Sequence, residues 1–66
     1  MHILLNGESR EIPGPMTVRD LLVDLGIDAR IVAVELNRSV VKRARHADTV
    51  VSEGAEVEIV AFVGGG

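Results

Sequence analysis

Sixty-six residues make one domain, and a chain of that size buries only about 60 % of its unfolded surface, so a large interior catalytic cleft is not expected. The composition is 47 % hydrophobic with one aromatic residue, Phe62, which leaves Val, Leu and Ile to build the core. A net charge of −3 offers no basic field to nucleic acid or an anionic membrane, and the absence of cysteine excludes disulfides, cysteine-ligated metal and thiol nucleophiles.

The opening MHILLNGE has a short apolar run but no basic flank and no small-residue cleavage site, so a cytoplasmic protein is the default expectation. Met1, Ile3 and Leu5 alternate with His2 and Leu4, and Asn6-Gly7 then supplies residues tolerant of positive φ. The spacing predicts a β-hairpin over residues 1–12 with Ser9 to Ile12 as its return strand. Pro13-Gly14-Pro15 cannot continue a ladder and reads as a connector. Thr17 is a good N-cap with Asp20 three residues on, and Val18, Leu21, Leu22 and Leu25 follow helical spacing up to a stop at Gly26. A helix of about eight residues is too short to stand alone, so its leucine face has to pack on a sheet.

Val32, Val34 and Leu36 alternate with Ala33 and Glu35 in a predicted strand ending at Asn37, and Val40-Val41 suggests a short further strand. Residues 42–56 read as polar and irregular, with a turn at Ser52-Glu53-Gly54-Ala55 leading into a last strand from Glu56 to Val63. One helix must therefore cover one face of a mixed sheet, an α+β class, and leave the other face open. His2 and His46 are too few and too far apart for a histidine metal motif and read as structural or surface residues.

Gly64-Gly65-Gly66 follow that strand with no linker. Such a segment reads in two ways. It is the usual look of a frayed end or an expression scar. It is also a thin backbone arm that fits a narrow partner site and carries a carboxylate at its tip. The expected division is a folded domain over 1–63 and a flexible tail over 64–66.

A hairpin, a crossing helix and returning strands in so short a chain suggest a β-grasp, in which the first and last strands lie side by side and parallel. Over its whole length the chain resembles the thiamine sulfur-carrier (ThiS) family of the ubiquitin-like superfamily. The likeness rests on I-L-L-N-G-E at 3–8, T-V-R-D-L-L at 17–22, V-A-V-E-L-N at 32–37, V-V-K-R at 40–43 and V-E-I-V-A-F-V-G-G-G at 57–66. Lys42 and His46 depart from it, since the family often carries Pro and an aromatic residue near those positions.

The resemblance implies a carrier and substrate rather than an enzyme. A ubiquitin-activating-type adenylating enzyme would use ATP to join the Gly66 carboxylate to AMP, since a bare carboxylate is a poor electrophile. A sulfur donor fed by a cysteine desulfurase would then displace AMP and leave a thiocarboxylate, which a thiazole synthase would take for the thiazole ring of thiamine. No cofactor is expected on the chain itself, which is expected to be monomeric when free. The alternatives are a carrier like the small subunit of molybdopterin synthase, which uses the same terminal chemistry, and a ubiquitin-like protein modifier or interaction module.

Alternation places Val57, Ile59 and Ala61 toward the helix and sends Glu58, Val60 and Phe62 to the open face, beside Leu4. Leu4, Val60 and Phe62 are the candidate docking patch, with a chance apolar face or a homodimer contact as the plain alternative. The basic stretch Arg38, Lys42, Arg43 and Arg45 reads first as a solvated loop and second as a contact for an acidic partner surface. Ser9, Ser39 and Ser52 sit in no recognisable nucleophile motif.

Overall fold

A computed structural model describes residues 1–62; Val63 and the tail expected at Gly64, Gly65 and Gly66 lie outside the described residues. The first hairpin forms from β1 (His2–Leu5) and β2 (Glu8–Glu11), closed by Asn6 and Gly7 at φ 50° and 83°. Two successive positive φ values match the twist of a tight hairpin, as the Asn-Gly pair predicts. β3 (Met16–Thr17) leads directly into α1 (Val18–Leu25). Thr17 Oγ1 accepts the Asp20 N–H at 3.0 Å, and Gly26 at φ 72° ends the helix with its own N–H turned back to the last-turn carbonyls. Both caps satisfy backbone groups that a short helix would otherwise leave unpaired.

A single 3₁₀ turn at Ala29–Ile31 precedes β4 (Val32–Leu36), and a two-residue turn at Asn37-Arg38 joins β4 to β5 (Ser39–Val41). After a second 3₁₀ turn at Arg43–Arg45 come β6 (Val50–Val51) and β7 (Glu56–Ala61). The main sheet has five strands in the order β2-β1-β7-β4-β5, with β1 and β7 parallel and the other neighbours antiparallel. This is the β-grasp arrangement, with the last strand at the centre of the sheet.

The helix packs on one face of that sheet. Val18 and Leu21 are fully buried against Ile3, Val34 and Val57, each no more than 2 % exposed. Val51 is also fully buried, in a segment whose composition reads as irregular. There β6 pairs with β3, Met16 opposite Val51 and Thr17 opposite Val50, as a separate two-stranded sheet. The pairing ties the entrance of the helix to the loop, through Val18 N–H to the Thr49 carbonyl (2.9 Å) and Arg19 N–H to the His46 carbonyl (3.0 Å).

Candidate functional site

The site is built on β7, the strand that carries the chain toward its glycines. Its alternation is as the sequence implies: Val57 is 1 % exposed, Ile59 half-buried, and Glu58, Val60 and Phe62 face outward. Ala61 lies past the cover of the helix and is exposed. On one side β4 pairs with β7 along its full length, from Leu36 opposite Val57 to Val32 opposite Ala61. On the other side β1 pairs only with Glu56 and Val57.

Where β1 ends, a side chain continues the ladder. Asn6 Oδ1 accepts the Ile59 N–H at 2.7 Å and Asn6 Nδ2 donates to the Ile59 carbonyl at 3.3 Å. Asn37 does a similar job at the start of the strand: its Oδ1 accepts the Glu56 N–H at 2.9 Å and its N–H donates to the Glu56 carbonyl at 2.7 Å. Phe62 N–H donates to the Ile31 carbonyl at 2.8 Å, so pairing continues one residue past β7. Two turn asparagines thus hold the strand that precedes the tail. The sequence places Asn6 in the hairpin turn and Asn37 at the end of a strand, and their amide side chains, able to donate and accept at once, are the available signal for this role.

The three residues expected to form a docking patch are all exposed: Leu4 by 41 %, Val60 by 62 % and Phe62 by 63 %. Val60 and Phe62 are neighbours on the open face. Leu4 does not sit beside them, because it pairs with Glu56, and four strand residues at ~3.3 Å each put it about 13 Å from Val60. Between them Glu58 lies directly opposite Glu35 on β4, a like-charge pair across the ladder. The open face is therefore apolar at Val60 and Phe62 and acidic at its centre. The basic stretch is also divided. Arg38 contacts Glu56 at 3.4 Å, while Lys42 and Arg43 lie with Arg30 around a cleft at the far edge of the sheet.

His46 is buried, 4 % exposed, and its Nε2 donates to the Val41 carbonyl at 3.1 Å. It joins the loop after β5 to that strand, a structural role. Asp28 and Arg30 form an exposed pair at 2.8 Å. The Arg30 guanidinium, with the Arg30 backbone N–H, holds the Asp28 carboxyl at about 2, below its ordinary 3.8. Among the described residues no group of three or more His, Cys, Asp or Glu side chains could hold a metal ion, and no helix is long and apolar enough to cross a membrane.

The sequence model of the ThiS family matches residues 3–66. The chain belongs to the ThiS family. The sulfur carrier protein ThiS of Thermus thermophilus is 34 % identical over 64 residues, 97 % of this chain and 98 % of that one. The crystal structure of the thiamine biosynthesis protein ThiS from Geobacter metallireducens superposes with a TM-score of 0.88 at 36 % identity, covering 100 % of both chains. A thiazole synthase of Paramagnetospirillum magneticum is 47 % identical over 66 residues, and the chain spans 20 % of the length of that relative.

Proposed function

We propose that this ThiS-family chain is a sulfur carrier for thiazole formation in thiamine biosynthesis, with Gly66 as the group that is loaded. With Gly66 terminal, its carboxylate attacks the α-phosphorus of ATP on a ubiquitin-activating-type enzyme, releasing pyrophosphate and forming an acyl-adenylate. A persulfide supplied from a cysteine desulfurase then displaces AMP to give an acyl disulfide, and a second thiol of the partners cleaves its S–S bond, leaving as a disulfide with the donor. The product is a thiocarboxylate, whose sulfur passes to a thiazole synthase. All of this chemistry belongs to the partners, and the chain binds no cofactor of its own.

The observation that carries the reading is the family match running through the glycines to residue 66. The architecture fits it. The glycines follow the central strand in sequence, and Asn6, Asn37 and the Phe62–Ile31 bond fix that strand as far as Phe62. The occurrence of a 47 % identical stretch within a thiazole synthase chain supports that enzyme as the acceptor.

Ordering three glycines in a narrow channel costs about 1–2 kcal/mol of backbone entropy each, some 3–6 in total. Val60 and Phe62, each more than half exposed, offset part of it when a partner covers them. Burial of such side chains contributes ~1.5–3 kcal/mol when complete, so about 1–2 each for the surface still exposed here. Loss of Gly65 and Gly66 abolishes the function and spares the fold on this reading. Full growth of a thiamine-dependent strain on that truncated chain would overturn it.

A further inference from the structure

The chain is acidic overall, yet one cleft of about 300 Å³ is lined, among the described residues, by three cations, Arg30, Lys42 and Arg43, and by no carboxylate. It exists because β5 runs beside Val34–Leu36 only and leaves the start of β4 without a strand on that side. Val32, Val41 and Phe62 give it apolar walls. The rim is held in place from below: His46 N–H donates to the Arg43 carbonyl at 3.1 Å, and its ring is tied to Val41. Arg30 already has a partner in Asp28, whereas Lys42 and Arg43 form no ion pair among the described residues. Both are exposed. The sequence reads Lys42 and Arg43 first as a solvated loop and second as a contact for an acidic partner surface. Their position beside Phe62, the last described residue, favours the second.

We propose that this cleft docks an acidic loop of the adenylating enzyme, with an Asp or Glu carboxylate against Lys42 and Arg43 and an apolar side chain on Val32, Val41 and Phe62. The proposal rests on the carrier reading, since it needs the enzyme that loads the tail. Charge complementarity chooses the occupant: two unpaired cations beside apolar walls fit a carboxylate that is partly desolvated on docking. Such pairs set orientation and association rate. They would fix the domain's rotation about the axis of β7, which the apolar patch at Val60 and Phe62 leaves less defined.

The test is steady-state loading of the carrier by the adenylating enzyme, followed as thiocarboxylate. Lys42→Glu with Arg43→Glu should raise KM for the carrier at least tenfold with kcat within twofold of the parent chain. The milder Lys42→Gln with Arg43→Gln should fall between, and both should melt as the parent does. Arg10→Glu with Arg19→Glu, which changes the same charge elsewhere on the exposed surface, should leave KM within twofold. Lys42 is the only lysine in the chain, so carbodiimide coupling of the complex should join its amine to an Asp or Glu of the enzyme. Equal KM shifts in both charge-reversed pairs, an effect confined to kcat, or a complex with no coupling at Lys42 would each overturn the cleft. So would a concentration-dependent dimer coupled through Lys42, which would make a second copy the occupant. Failure of the parent chain to gain sulfur overturns the carrier reading instead, so the two failures are distinct.

Discussion

Truncating Phe62 to Ala probes the docking surface with little disturbance of the fold. Its side chain is 63 % exposed, so most of its apolar surface is available to a partner rather than committed to the core. Complete burial of a phenylalanine contributes ~1.5–3 kcal/mol; scaled to the exposed share, docking should lose about 1–2 kcal/mol. At 1.4 kcal/mol per tenfold, that is roughly a 5- to 30-fold rise in Kd for the adenylating enzyme. The backbone bond from Phe62 N–H to the Ile31 carbonyl is untouched by the change. Stability should therefore fall by less than ~1 kcal/mol, a shift of about 4–8 °C at most for a domain of this size. Calorimetric titration of each chain into the enzyme, with a thermal melt of each, reads both quantities. A Kd within twofold of the parent, with an unchanged melt, would refute the role of this face in docking.

Asn6→Ala removes both bonds to Ile59 and should cost about 1–3 kcal/mol at ~0.5–1.5 per hydrogen bond, with faster hydrogen exchange at the Ile59 amide. Asn6→Asp keeps the acceptor and should retain part of that protection; equal exchange in all three chains would contradict the strand-extending role. Asp28 should titrate near 2 by carbon-13 shift, and Arg30→Ala should move its midpoint back toward 3.8. Because the folded value is lowered, the pair's small contribution to stability is complete above about pH 4 and is lost as pH falls through about 2. A midpoint that ignores Arg30 would show that the contact does not persist in solution.

The elements with strong local signals were legible in the sequence. Asn6-Gly7, the Thr17 cap, the Gly26 stop and the alternation over Val32 to Leu36 each declare themselves within a few residues, and each is where it was expected. The small sheet of β3 and β6 was not legible. Two-residue strands carry no periodicity, and only the fold brings Met16 opposite Val51. The arrangement of the site had the same difficulty. Alternation put Leu4 on the open face with Val60 correctly but could not give the register, which sets Glu58 between them. Nothing local links Arg30 to Lys42 and Arg43, or tells that Asn6 reaches Ile59 across most of the chain. The buried state of His46 was likewise set by packing of the loop, not by its neighbours in sequence.

The carrier reading turns on what Gly66 bears after loading. The chain should be incubated with ATP, the adenylating enzyme and a sulfur source, treated with a thiol-alkylating reagent, and its modified peptide sequenced by mass spectrometry. Exchange of oxygen for sulfur alone is a poor readout, because oxidation of Met1 or Met16 gives nearly the same mass change. Alkylation removes that confusion, since a chain without cysteine has no other thiol. The account predicts a single label on Gly66, dependent on ATP and released when a thiazole synthase and its substrates are added. An unlabelled chain, beside an enzyme that loads an authentic carrier in the same mixture, would contradict it.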